Sequence, residues 1–385
     1  MDNTSLPAQK QERHYGLDLL KILSMFMILF LHYFCYGELR AFPSGQLDIP
    51  GVFMWWLYAL TYMAVDCYVL ISGYFLVDQP FRFNRLVKLI LNVTFYSVGI
   101  EILLLLLGKV SFSVKVIKCF LPISFKYYWF VTAYVGLYLL TPVINHFIRT
   151  LNKKQHLSLV LMIFIMLSLW RDIIPTLDSP FFANATYSLP LFIELYFIAS
   201  YIRLYVDIQK IKYPLTVYFM CTFVMVAVWF ISRIVYSRIV DLSVHIPSDY
   251  YYRNNSAVVI LGAVGLFIAF LKLHINNAYL VKTIKLIAPL TLGVYLIHEH
   301  NELRMLLWNT VVSVVELPRN LLTPVYTLLV TIVIYTILLT IDFLRAKLFS
   351  LLERGVWYKN TMQKIDNTVH GISVKLIDRL AQIGE

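Results

Sequence analysis

Three ionisable residues stand among apolar ones near the start of the chain: Asp18, Lys21 and His32, in a run that otherwise reads Leu, Ile, Met and Phe with a single serine. On an α-helix the eleven steps from Lys21 to His32 amount to about 1100°, ~20° past three full turns, with a rise of ~16 Å. Both side chains therefore share one helical face. Asp18, three residues before Lys21, joins them there and is placed to pair with the lysine. An imidazole titrates close to neutral pH and suits proton transfer. The plainer alternative is a lysine that snorkels to one membrane surface with its aspartate while the histidine reaches the other.

Further along, Asp66 is an acid deep in an apolar segment; it needs a basic group from another helix, or serves as a polar contact that fixes helix packing. Arg82, Arg85 and Lys88 place three cations just beyond that segment, which suits phosphate groups and equally suits ordinary anchoring by positive residues at a membrane surface. Ser72 precedes Gly73, a pair that lets helices approach, with no nucleophile-elbow context. Trp129, after Tyr127 and Tyr128, reads as an interfacial aromatic belt or as a sugar platform, and Tyr134 follows on the same segment. Glu101 and Glu194 lie in or near apolar segments. His298 and His300 flank Glu299, a spacing that does not guarantee the ligands zinc requires, so no metal is expected. The four cysteines, Cys35, Cys67, Cys119 and Cys221, show no CxxC or Cys/His spacing and read as packing residues.

The elements that must hold these residues are membrane helices. Of 385 residues 59% are hydrophobic and only 14% charged, too apolar a balance for a soluble domain. Ten segments are long and apolar enough to span a bilayer: 17–36, 51–76, 86–107, 128–148, 157–174, 189–206, 214–236, 256–273, 284–300 and 321–344. The expected fold is all-α, a polytopic transmembrane helix bundle over 17–344, after a cytoplasmic segment 1–16 that reads as the start of an uncleaved signal anchor, and before a basic, partly amphipathic tail 345–385. Loop lysines and arginines number fourteen on the N-terminal side and eleven opposite. Seven more in the tail, from Arg345 to Arg379, favour both termini inside, against the contrary pull of Lys109, Lys115, Lys118 and Lys126. The net charge of +11 follows from this topology, and no nucleic-acid binding is expected. No second domain or internal repeat is evident.

Five motifs in order resemble the acyltransferase-3 family of membrane acyltransferases. Asp18-Leu19-Leu20-Lys21, ten residues and His32 match the family's first helix, Asp-x-Leu-Arg then histidine, with lysine in place of arginine. That replacement keeps the charge and loses the bidentate fork. Val65-Asp66-Cys67-Tyr68, running to Ser72-Gly73-Tyr74-Phe75, looks like the second-helix signature. Arg82-Phe83-Asn84-Arg85 is similar to its Arg-x-x-Arg, Trp129-Phe130 with Tyr134, Tyr138 and Pro142 to its WFxxxY…P helix, and Gly293-Val294-Tyr295-Leu296-Ile297-His298 to its late GIYLIH segment.

The resemblance covers about residues 13–345 and implies a membrane-bound O-acyltransferase of the bacterial cytoplasmic membrane. Its acyl-CoA donor, acetyl-CoA, would be cytoplasmic, and its acceptor a hydroxyl on an extracytoplasmic glycan or lipid-linked glycan. Catalysis would fall to His32 with Lys21 and Asp18, donor binding to Arg82, Arg85 and Lys88. Asp66, Ser72, Trp129, Tyr134, Glu194 and His298 form a second tier. Two mechanisms stay open: a histidine base acting on the acceptor, and a transient acyl-histidine. The SGNH-type hydrolase domain fused to some members of the family is not expected here, so acceptor delivery would fall to the bundle or a separate partner. The competing class is a transporter or glycan exporter, which also buries charge inside a helical bundle.

Overall fold

Inside lipid every backbone N–H and C=O must find its partner within the protein, and a chain of long apolar segments meets that demand by coiling into helices. The computed structural model describes residues 13–37, 48–173, 187–238, 251–315, 317, 320–355 and parts of 360–368; among these there is no strand. The helices are α1 (Tyr15–Tyr36), α2 (Ile49–Tyr62), α3 (Ala64–Leu76), α4 (Phe83–Leu106), the short α5 (Val114–Lys118), α6 (Trp129–Thr150), α7 (Lys153–Phe164) and the one-turn α8 (Trp170–Ile173). They continue with α9 (Leu189–Tyr205), α10 (Pro214–Arg238), α11 (Ala257–Leu271), α12 (Ala278–Ile287), α13 (Thr291–His298), α14 (Asn301–Val314) and α15 (Thr323–Glu353).

Local chemistry sets the helix ends. Asp48 caps α2 by accepting from the Gly51 amide at 3.0 Å, and Asn152 with Gln155 forms a reciprocal capping box on α7. Asn277 caps α12, and imidazoles cap α1 and α14, His14 accepting from Leu17 and His300 from Leu303. Pro142 within α6 deprives the Tyr138 carbonyl of its helical donor; the Thr141 hydroxyl takes that place at 2.7 Å.

Among the described residues eight helical stretches are long and apolar enough to cross a membrane, making this a multi-pass membrane protein. Of the ten expected spans, 189–206 and 256–273 correspond to α9 and α11, which at 17 and 15 residues are shorter than the rest. Both are enclosed by neighbours, α9 by α3, α6 and α7, α11 by α1, α3 and α10. The expected single segment 51–76 is two helices that meet at Met63. Large exposed apolar side chains such as Leu103 and Leu106 on α4, Phe223 on α10 and Val333 on α15 form the flanks offered to lipid. The tail stretch 372–383 and the residues before Arg13 lie outside the described residues.

α1 runs through the middle of the bundle, against α2, α3, α11, α12, α13, α14 and α15. Its neighbours are pinned to it partly by tyrosines: the Tyr68 hydroxyl donates to the Lys21 carbonyl at 2.8 Å and Tyr335 to that of Ile22 at 3.0 Å. α3 lies so close to α9 that a Cβ on Gly73 would stand 3.0 Å from the Ala199 Cβ and 3.1 Å from the Tyr196 Cα.

Candidate active site

A cavity of about 340 Å³ opens between α1, α3, α4, α6 and α13. α1 lines it with Lys21, Met25, Ile28 and His32, the face that helical spacing assigned to the two ionisable residues. α3 adds Val65, Tyr68, Ser72 and Leu76, again a three-and-four repeat, and α6 adds Phe130, Tyr134 and Tyr138. Arg85, Trp129 and Tyr295 complete the polar and aromatic lining. The wall is thus apolar and aromatic along its length, with cations toward one end of α1 and an imidazole toward the other. Such a passage suits a slender, largely apolar ligand that carries negative charge at one end.

At the far end His32 meets residues from the other side of the sequence. Its Nδ1 lies 2.9 Å from His298 Nε2 and 3.3 Å from a Glu299 carboxylate oxygen. His298 Nδ1 in turn faces the Val294 carbonyl at 2.6 Å. A carbonyl only accepts, so His298 Nδ1 carries a proton, and in the neutral ring Nε2 is then an acceptor. His32 must donate from Nδ1, which leaves its Nε2 as a lone pair with no protein partner among the described residues. A lone pair of that kind is chemically able to act as a base or as a nucleophile. Glu299 stands beside the donating nitrogen, where a carboxylate charge would stabilise an imidazolium if Nε2 took a proton. Arg304 holds Glu299 from behind at 3.3 Å and lies over the Tyr36 ring, 4.9 Å from its centroid.

The segment His298-Glu299-His300 divides three tasks between adjacent residues. His298 ends α13, Glu299 occupies the non-helical turn, and His300 caps α14. His300 Nε2 lies 3.1 Å from the Ser97 carbonyl and 3.2 Å from the Tyr127 hydroxyl, which itself donates to Glu101 at 3.3 Å. This second cluster ties α4, the loop before α6 and the start of α14 together. Burial, with Glu101 close by, pushes the Tyr127 hydroxyl above the usual phenol range, and burial pushes the nearby Cys119 thiol up to about 11. The buried Cys119 thiol donates to the Val116 carbonyl at 2.8 Å. All four cysteines are free.

At the other end Asp18 pairs with Lys21 at 3.4 Å and also with Arg13. Arg85 donates to Gln79 and reaches the cavity. Arg82 and Lys88 do not line it; the backbone of Arg82 is held instead by the Tyr138 hydroxyl, which accepts from its amide at 3.2 Å and donates to its carbonyl at 3.0 Å. Ser72, which donates to the Tyr68 carbonyl at 2.9 Å, Trp129 and Tyr134 are all on the cavity wall. The aromatic belt expected at 127–129 is inside the protein: Tyr127 and Tyr128 are buried, and the Tyr128 hydroxyl donates to the Leu296 carbonyl at 2.9 Å.

Asp66 and Glu194 are not brought to His32 by any contact. Both are buried, and the basic partner expected for Asp66 is not found among the described residues. The residues that sequence reasoning passed over are Glu299 and Arg304. The signal for Glu299 was present, an acid between two histidines at the end of an apolar segment, but its partner lies 267 positions earlier in the chain.

His32, His298 and Glu299 also offer ligand atoms within 4.8 Å of one another, the composition of a metal site. The two imidazoles are matched as donor and acceptor and the guanidinium of Arg304 lies against one Glu299 oxygen, while the other, Oε1, has no hydrogen-bond partner among the described residues. A neighbouring positive charge works against metal binding.

A protein-family model described as an acyltransferase domain matches residues 14–341. No curated protein and no solved structure gives a significant match.

Proposed function

The chain belongs to the acyltransferase-3 family, and on that premise we propose that it transfers an acetyl group from cytoplasmic acetyl-CoA to a hydroxyl of an extracytoplasmic glycan. The observation that carries this reading is the cavity that runs between Lys21 with Arg85 and the unprotonated Nε2 of His32. The donor's phosphates stay at the cationic end, in reach of Lys21 and Arg85, with Arg82 and Lys88 outside adding to the positive field. Its pantetheine arm follows the apolar wall and sets the thioester beside His32.

His32 Nε2 then removes the acceptor's hydroxyl proton as the oxygen attacks the thioester carbon. A C–O bond forms, the C–S bond breaks, and the proton passes from the imidazolium to the departing thiolate, giving coenzyme A and the acetyl ester. During the step Glu299, held by Arg304, balances the positive ring, and His298 fixes its tautomer, the role a carboxylate plays for a catalytic histidine elsewhere. Asp18 orders Lys21 at the entrance. The orientation that this requires, Lys21 toward the cytoplasm of a bacterial cell and His32 toward the outer leaflet, follows the basic tail. The same Nε2 could first take the acetyl group itself; acid quench during turnover, followed by peptide mass spectrometry, distinguishes the two, because only the relay leaves an acetyl increment on His32.

Mass spectrometry of surface polysaccharides tests the function. Cells with the gene are expected to show an acetyl increment that is lost in the deletion and in His32→Ala, with the variant present in membranes at normal level. Unchanged acetylation in His32→Ala would overturn the assignment.

A further inference from the structure

Acyl transfer from a thioester develops two charges, one on the base and one on the carbonyl oxygen. His32, His298 and Glu299 all serve the first. The second requires a hydrogen-bond donor fixed where the oxyanion forms. Tyr295 lines the same cavity as His32 and lies three residues before His298, on the same face of α13. It is 4% exposed, and its hydroxyl has no hydrogen-bond partner among the described residues. Of the buried side-chain oxygens and nitrogens in that condition, among the described residues, it is the one that belongs to the cavity wall. The hydroxyls of Tyr68, Ser72 and Tyr138 on that wall donate instead to the carbonyls of Lys21, Tyr68 and Arg82. Buried hydroxyls are rarely left unmatched, so an unmatched one in a ligand cavity points to an acceptor on the ligand.

The phenol ring is held from three sides. Its centroid lies 5.8 Å from that of Phe130, 5.9 Å from Tyr128 and 6.0 Å from His298, the last edge-on at 89°. The His298 ring lies 5.1 Å from that of His32, so Tyr295 stands one ring beyond the pair that holds the reactive Nε2. α13 itself is closely fitted: a Cβ on Gly293 would meet the Asp342 carboxyl carbon at 2.1 Å, and the Tyr128 hydroxyl grips the Leu296 carbonyl. A donor fixed in advance needs no rearrangement as the charge appears.

We propose that the Tyr295 hydroxyl donates to the thioester carbonyl oxygen and stabilises the oxyanion, an inference that rests on the acyl-transfer reading above. As the C–O bond to the acceptor forms, the carbonyl π pair passes to that oxygen, where the phenol holds it. On collapse the pair re-forms the carbonyl, the C–S bond breaks, and the thiolate takes the proton from His32. Tyr295 keeps its own proton throughout.

The test compares wild type with Tyr295→Phe, which keeps the ring, as full-length protein in membrane vesicles. Labelled acetyl transfer is measured, together with the affinities for coenzyme A and for its S-trifluoroacetonyl derivative, whose hydrated ketone presents a tetrahedral oxygen. Loss of one oxyanion donor should lower kcat about 10²-fold. Donor KM and coenzyme A affinity should stay within about threefold. The preference for the derivative over coenzyme A should shrink about tenfold or more, a ratio that does not depend on how much of the variant folds. A kcat within about threefold of wild type, or an unchanged preference for the derivative, would overturn the proposal. Transfer that needs His32 but is indifferent to Tyr295→Phe overturns this inference alone, whereas a wild-type protein without His32-dependent transfer overturns the functional reading with it.

Discussion

Replacing Glu299 by glutamine separates the relay from the fold. The amide is nearly the same shape, still accepts from Arg304, and still faces His32 Nδ1, but its charge is gone. At the observed 3.3 Å, a unit charge acting on an imidazolium through an effective dielectric of ~20 contributes about 5 kcal/mol. At about 1.36 kcal/mol per decade, full loss would lower the rate by nearly four orders of magnitude. The retained hydrogen bonds offset part of it, while Arg304, no longer neutralised, opposes protonation of His32. A fall in kcat of about 10²–10³ is therefore expected, with donor KM changed less than about threefold, since Glu299 does not line the donor cavity. The assay is transfer of labelled acetyl from acetyl-CoA into the glycan of membrane vesicles, with coenzyme A binding followed separately by its effect on Tm. Glu299→Gln with a kcat within threefold of wild type would refute the reasoning, because a protonated His32 would then have no need of the carboxylate.

His298→Asn removes the acceptor that fixes the His32 tautomer and should lower kcat about tenfold or more without changing coenzyme A affinity, measured in the same vesicles. Lys21→Arg should keep most activity and Lys21→Ala lose it, while Arg85→Ala should raise donor KM about tenfold by removing a charge-assisted contact of ~1.5 kcal/mol; equal KM values would remove both residues from donor binding. Burial holds the His14 imidazole below its ordinary value, and its neutral Nδ1 caps α1. The unfolded chain therefore binds a proton more readily than the folded one. Stability from this cap is present above pH ~6.5 and falls as the pH drops below it, so the Tm of wild type should decline between pH 7 and 5 more steeply than that of His14→Asn, a non-titrating cap. Gly73→Ala would crowd the Tyr196 backbone at 3.1 Å and should lower Tm by the equivalent of about 1–3 kcal/mol, read by thermal unfolding in nanodiscs.

Periodicity and charge made the helices and one face of the site legible. Lys21 and His32 line one cavity because a rigid helix transmits spacing directly into position, and each expected apolar segment contains a helix. What could not be read was everything that depends on two helices meeting. His298 was a second-tier residue until α13 set it 2.9 Å from His32, and Glu299 gained a role only through that encounter. The division of 51–76 at Met63 has no proline or glycine between Val52 and Ser72 to mark it. Asp66 was expected to find a base because an acid in lipid needs one; its carboxyl oxygens have no hydrogen-bond partner among the described residues. The aromatic run at 127–129 carries the composition of an interfacial belt, and only tertiary contact distinguishes a belt from a wall.

The stretch of α1 between Lys21 and His32 is also a gauge. Its rise of ~16 Å is fixed by helix geometry and cannot stretch or shorten. A thioester carried on an arm of about that length reaches the imidazole while its charged handle rests at the entrance. A truncated thioester that lacks the handle can enter the same passage but is held at one end only, and it should be turned over with a poorer KM. A donor with a bulkier acyl group must find room among Trp129, Phe130 and Tyr295, aromatic rings packed against one another at 5.8–5.9 Å between centroids. If the proposed donor binds in this cavity, one helix measures it from its handle to its reactive carbon, and the ring cluster limits what lies beyond.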